Sequence, residues 1–267
     1  MYVMIDKAPE SLASENNKVI RCAESFNEKL NLIIRVNEVQ AGVKLGVPRA
    51  IDWVLNLENQ CIILEDDCDL SSNTLSYFDQ MSIYIGGDIA LISGDSPWKK
   101  DEVEHSSLSQ YPLIWGLATN REQWKKLRVL IDGEIPWMRV LQTAARNPRN
   151  ILSVSYFLSA QIRVKRGLFQ AWDCSVALNM LLTNLKCIIP NVRIVDNVGN
   201  DEFAHHTLQN LGHVNRKIEE LTTASTSLRN DPCSQKAVNK AIRKRIYKMR
   251  IRHFFSPVKV LFSKSSS

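Results

Sequence analysis

Cys61-Ile62-Ile63-Leu64-Glu65-Asp66-Asp67 is the stretch on which the reading of this chain turns. Its four apolar residues predict a buried strand. The three carboxylates that follow force the chain to the surface, because an unpaired ionised carboxylate is very costly in an apolar interior. In a parallel α/β sheet, ligands bind outside the carboxyl ends of the strands. Acidic side chains placed there can hold a divalent cation, and the cation can hold a diphosphate. The plain alternative is a strand that runs into an acidic turn with no chemistry.

On either side, strand and helix patterns alternate. Tyr2–Ile5 predicts a strand with Asp6 at its tip, 19–30 a helix, 32–36 a strand, and 47–57 a helix with Pro48 in its first turn. Beyond the acidic run, 75–85 predicts a helix and Ile89–Ser93 a strand closed by Gly94. Then come a strand over 113–119, a helix over 121–130, a loop-and-helix stretch over 132–148, a helix over 172–182 and a strand over 186–189. A further strand is expected near 192–195, and 237–255 predicts a basic amphipathic helix. This alternation predicts an α/β domain with a mixed, mostly parallel sheet covered by helices on both faces.

Composition narrows the class. A chain of 267 residues, 45% hydrophobic and 23% charged, is an ordinary globular composition, and it contains no run of 18 apolar residues that would span a bilayer. The N-terminus does not read as a signal peptide. Six cysteines without a CxxC pair read as reduced thiols, which predicts a cytoplasmic setting. The net charge of +6 is uneven: from Lys236 onward there are ten Lys or Arg and no acid, leaving 24 basic against 28 acidic residues in the rest. The expected organisation is a catalytic domain over 1–215, a polar linker over 216–235 and a basic tail over 236–267.

Six segments occur in an order that resembles one family: GVKLGVPRAIDWVL from Gly42, CIILEDDCDLSSNTLSYF from Cys61, ALISGDSP from Ala90, WGLATNREQW from Trp115, WDCSVALNML from Trp172 and IIPNVRIVDNVGNDEFAHHT from Ile188. Together they resemble the bacterial nucleotide-diphospho-sugar glycosyltransferases of GT-A fold, the hemolytic-protein-like or sugar transferase group. They are distantly similar to N-acetylglucosaminyltransferase I of the N-glycan pathway. The resemblance covers roughly residues 1–207 and implies a Rossmann-like GT-A fold. In that family another strand usually precedes the one at Tyr2–Ile5, so the resemblance also implies that a first strand is missing here, which puts nucleotide affinity in question.

The resemblance implies roles for named residues. Asp67 contacts Mn²⁺ or Mg²⁺, with Glu65 and Asp66 ordering the loop or holding the ribose. The metal supplies Lewis-acid assistance to a departing nucleoside diphosphate. Asp173 is the base that takes a proton from the acceptor hydroxyl in an inverting transfer; an Asp opening a helix also simply stabilises its first turn. His206 completes the metal shell or binds the diphosphate, or is a surface residue. Asp6 accepts a hydrogen bond from a base edge, while Arg35 and Lys44 neutralise phosphate. Trp115 and Gly116 face the acceptor, although a core role is the more natural reading for this Trp.

The implied reaction moves a sugar from a nucleoside-diphosphate sugar, a UDP-sugar in the first instance, to a cell-envelope glycan or a lipid-linked acceptor. The basic tail is expected to place the enzyme peripherally on an anionic membrane surface at its inner face. Nucleic acid is the less favoured partner of the tail, because the apolar stretch after the basic block has no use there. A non-catalytic relative that has lost its donor site is the remaining alternative.

Overall fold

The computed structural model describes residues 1–146, 150–199, 226–249 and 257. In chain order the strands are β1 (Tyr2–Ile5), β2 (Ile33–Val36), β3 (Gln60–Ile63), β4 (Cys68–Leu70), β5 (Ile89–Ser93), β6 (Ser106–Ser109), β7 (Leu117–Asn120), β8 (Lys186–Ile189), β9 (Val195–Asn197) and β10 (Leu228–Arg229). The helices are α1 (Ala13–Ser25), α2 (Asn27–Leu30), α3 (Gly42–Leu57), α4 (Thr74–Ser82), α5 (Arg121–Leu127), α6 (Val129–Asp132), α7 (Trp137–Arg146), α8 (Ile151–Lys165), α9 (Asp173–Thr183) and α10 (Pro232–Ala241).

The main sheet has six strands in the order β10-β6-β8-β5-β7-β3. It is mixed, as expected, but not mostly parallel: β10–β6 and β8–β5 are parallel, whereas β6–β8, β5–β7 and β7–β3 are antiparallel. The pairings make β3, β5 and β8 point the same way, so their carboxyl ends share one edge. That edge is where the acidic run emerges. Alternation along the strands serves two cores. Leu91, Leu117, Cys187 and Ile189 face α3, α5, α6, α8 and α9. Their neighbours Ile92, Ala118 and Ile188 face Tyr77, Phe78 and Met81 of α4.

Three departures from the sequence reading have clear causes. The run Cys61–Leu64 is not buried: β3 ends the sheet, and Ile62 and Leu64 are about 40% exposed. β1 and β2 pair in parallel as a separate two-stranded sheet, tied to the C-terminal end of α3 by the hydrogen bond from the Tyr2 hydroxyl to Glu58 Oε1 at 2.7 Å. α3 begins at Gly42 rather than 47, which puts Pro48 inside the helix. The extra turn is held because Asp6, from the end of β1, accepts the backbone N–H groups of Ala41 and Gly42 that no helical carbonyl can reach.

The C-terminal region departs most. The expected linker contributes β10 to the main sheet. The expected boundary at 236 falls inside α10, whose first turn is capped by the Asp231 carboxylate. Val238 and Ile242 are fully buried in the main core, and α10 passes into a π-helical turn over Ile242–Ile246 instead of continuing to 255. The apolar stripe that suggested a membrane face is thus spent on the protein interior as far as residue 246. Most of the tail beyond 249 lies outside the described residues.

Candidate active site

The acidic run forms a tight turn at the shared edge. The Cys68 N–H donates to Glu65 O at 3.1 Å, reversing the chain from β3 into β4. β4 pairs antiparallel with β9, which sets Cys68 opposite Asn197. Asn197 then donates its side-chain N–H to Asp67 Oδ2 at 2.6 Å, and Val198 N–H donates to the Asp67 carbonyl at 2.8 Å. The other carboxylate oxygen, Asp67 Oδ1, is buried and has no hydrogen-bond partner among the described residues. Backbone crowds this carboxylate: a Cβ on Gly199 would meet Asp67 Oδ2 at 2.7 Å.

Glu65 reports what surrounds the turn. Its carboxyl is pushed up to about 7, first by burial and then by the negative charges of Asp67, Asp173 and Asp66. The turn after β3 and the first residue of α9 therefore share one electrostatic neighbourhood, although more than a hundred residues separate them. Asp173 opens α9, where the helix dipole favours a carboxylate, and is half-buried. Its charge, after burial, also helps hold the Tyr156 and Tyr247 hydroxyls in their neutral forms. Tyr247 donates to the Pro112 carbonyl at 2.5 Å, and its ring packs on Tyr111, Tyr156 and Phe157.

Behind the turn is a buried ion cluster to which the sequence reading gave no role. Arg193 Nε lies 2.8 Å from Asp95 Oδ1 and its Nη1 lies 2.5 Å from Asp196 Oδ1, with Arg193 and Asp95 almost wholly enclosed. One guanidinium thus faces two carboxylates. The guanidinium also covers one face of Trp115, 5.4 Å from the ring centre. The signal was present in IIPNVRIVDNVG, where an Arg stands inside an apolar run with acids nearby. A buried Arg must be paired; Asp196 was legible there as a partner, whereas Asp95 comes from the distant segment ALISGDSP.

Gly116 has a packing role. Its φ is +64°, and a Cβ there would meet Val195 Cγ2 at 2.6 Å. Gly94 is equally tight, at 2.3 Å from the same methyl. Gly94 N–H donates to Gly116 O at 2.8 Å, and the Ile194 and Val195 N–H groups donate to Gly94 O. The two glycines let β9 settle on the sheet edge, which places Asn197 beside Asp67.

The residues expected on the donor side are spread out. Asp6 has its acceptor capacity filled: Oδ1 accepts from Asn37 Nδ2 at 2.8 Å and Ala41 N at 2.9 Å, and Oδ2 accepts from Gly42 N at 2.7 Å. Burial raises its pKa, but these hydrogen bonds outweigh that and hold it below the ordinary value. Arg35 is exposed and stacks 5.7 Å from the Trp53 ring centre. Lys44 Nζ donates to the Val164 carbonyl at 3.3 Å, bridging α3 to the end of α8. Close by, a cleft of about 600 Å³ is lined by Gln40–Val43 and by 167–170. Gln170 leads through Ala171 and Trp172 into Asp173. The charges of Asp67, Asp173 and Asp66 all act on Glu65, but none of these four acids lines the cleft; Asp6 meets it only through the backbone of Ala41 and Gly42, and Lys44 follows the lining residues in α3. His206 lies outside the described residues.

Among the described residues, no three His, Cys, Asp or Glu side chains are grouped to hold a metal. The donor chemistry still suits a hard divalent cation, since Mg²⁺ is commonly held by one or two carboxylates, with water and substrate phosphate completing its shell. Asp67 Oδ1, buried and unpartnered, is the oxygen that fits such an ion. No helix among the described residues is long and apolar enough to cross a membrane. No protein-family model matches this chain, and no curated protein sequence matches it.

Proposed function

We propose that this chain is a metal-dependent, inverting glycosyltransferase that takes a sugar from a nucleoside-diphosphate sugar and passes it to a hydroxyl of a cell-envelope glycan or lipid-linked acceptor. One observation carries the reading: Asp67 Oδ1 is buried with no hydrogen-bond partner among the described residues, beside a Glu65 carboxyl pushed up to about 7 by burial first and then by the charges of Asp67, Asp173 and Asp66. The negative charges of Asp67, Asp173 and Asp66 all bear on Glu65, and a cation held by Asp67 would relieve them. The cleft of about 600 Å³ is in the size range of small-molecule sites.

Each residue then has a task. Asp67 would hold Mn²⁺ or Mg²⁺, which would offset charge on the diphosphate. Asn197 and Gly199 fix the Asp67 carboxylate from behind. Asp173, at the mouth of α9, accepts the proton of the acceptor hydroxyl as its oxygen attacks the anomeric carbon and the bond to the diphosphate breaks. Glu65, pushed up to about 7, would be favoured in its ionised form by a cation held on Asp67. Gln40–Val43 line the cleft where the donor would rest, and Lys44 follows them in α3.

A second reading draws on Asp6 and Arg35. Both side chains are engaged within the protein, which favours a relative without donor binding. Nucleotide-sugar turnover with Mn²⁺ distinguishes the two. The first reading expects turnover by the parent and loss in Asp67→Ala. Equal rates in the two proteins remove the metal role, and absence of turnover in the parent favours the second.

A further inference from the structure

α7 is apolar on two sides. Val140 faces the core at 6% exposure, whereas Trp137, Met138 and Leu141 are 47%, 70% and 64% exposed. Residues 138, 141 and 145 follow one another at helical spacing, as do 137 and 141, so Trp137, Met138, Leu141 and Ala145 form one outward stripe. Three large apolar side chains on one short helix face mark an interaction surface more often than chance exposure. The adjacent stripe, Arg139, Gln142 and Arg146, is exposed and basic. A third cation stands nearby: Lys165 Nζ donates to the Asp132 carbonyl at 3.4 Å, tying the end of α8 to the turn that enters α7. Of the acids on that turn, Asp132 is already held by Arg128 at 2.6 Å, leaving Glu134 as the opposing charge.

We propose that the outward face of α7 docks on an anionic lipid bilayer, with Trp137, Met138 and Leu141 entering the headgroup boundary and Arg139 and Arg146 meeting lipid phosphates. Apolar residues beside a basic stripe are the pattern of helices that lie in the membrane interface, and Trp is favoured at that depth. A second copy of the chain suits the face less well. A ten-residue helix is about 15 Å long and falls far short of the roughly 800 Å² per partner of a stable interface. Pairing two such faces would also set Arg139 and Arg146 against their own copies. Leu168, 44% exposed, stands on the turn that both follows Lys165 and lines the cleft, so a bilayer under α7 would lie close to the cleft. This assignment does not depend on the transferase reading.

Co-sedimentation of the full chain with vesicles tests it, using phosphatidylcholine alone and phosphatidylcholine mixed with phosphatidylglycerol. The parent is expected to bind the mixed vesicles and to bind phosphatidylcholine alone at least about tenfold more weakly. Trp137→Ser/Leu141→Ser and, separately, Arg139→Gln/Arg146→Gln should each weaken binding to mixed vesicles by about tenfold or more. Circular dichroism verifies folding. If the apolar variant does not fold, the charge variant, altered only at exposed positions, decides. Parent-like binding by a folded variant overturns the proposal and assigns binding to the basic C-terminal segment. Failure of the parent to bind, with a dimer that the apolar variant dissolves, overturns it in favour of self-association.

Discussion

Replacing Glu65 by Gln removes one of four mutually repelling carboxylates while keeping the side-chain shape. In the folded protein Glu65 titrates at about 7, against an ordinary value of 4.5, because burial and then Asp67, Asp173 and Asp66 disfavour its charge. The folded state therefore holds its proton more tightly than the unfolded state. Between these two values the folded state binds more protons, so stability falls as pH rises from about 4.5 to about 7 and the cost is complete above that window. A shift of this size corresponds to at most ~3 kcal/mol, less where water reaches the partly buried side chain. Glu65→Gln should match the parent near pH 4.5, exceed its stability at pH 8 by about 1–3 kcal/mol, and flatten the profile between. Urea unfolding across that range, read by tryptophan fluorescence, measures this directly. A variant that keeps the parent's slope, or is less stable than the parent at pH 8, would refute the charge-cluster argument.

Three further outcomes follow from the same geometry. Arg193→Met leaves Asp95 and Asp196 without their cation in a buried setting and should cost about 3–5 kcal/mol in urea unfolding, more than an exposed Arg ever does. Gly116→Ala combines a φ of +64° with a contact of 2.6 Å to Val195, so a loss of about 2 kcal/mol or more is expected in thermal melts, with part of it returned by Val195→Ala. Asp6→Ala frees the N–H groups of Ala41 and Gly42 and should cost about 1–2 kcal/mol by the same measurement, with amide exchange accelerating first at the start of α3.

What the sequence made legible was local. Ile89–Ser93 and Lys186–Ile189 stand as expected because both are short apolar runs in the sheet interior. Asp173 opens its helix as expected, since the helical period begins there. β6 was invisible: Ser106, Ser107, Leu108 and Ser109 do not read as a strand, yet all four are buried. The serines are satisfied across the chain, by Tyr77, Ser234 and Asn239, and such long-range polar pairing leaves no hydrophobic period to read. α8 was not anticipated either; serines interrupt its apolar pattern, and Ser153 is buried against the Tyr111 hydroxyl.

The site divides along the same line. The turn at Glu65–Asp67 followed from one local contrast between apolar and charged residues. Asn197 and Gly199 reach that turn only because β9 pairs with β4 and rests on Gly94 and Gly116, a tertiary fact that no local period encodes. Asp6 carried the right chemistry, a carboxylate at a strand tip, but its partner is the N-terminus of α3. The apolar positions of α10 were readable as an amphipathic face, whereas the surface that would cover them was not.

Calorimetric titration of UDP in the presence of Mn²⁺ into the parent, Asp67→Asn and Asp173→Asn tests the central claim most directly. The account predicts cation-dependent UDP binding by the parent, loss of that binding in Asp67→Asn, and its retention in Asp173→Asn. Binding by Asp67→Asn equal to that of the parent, or UDP binding by the parent that is indifferent to the cation, would contradict it.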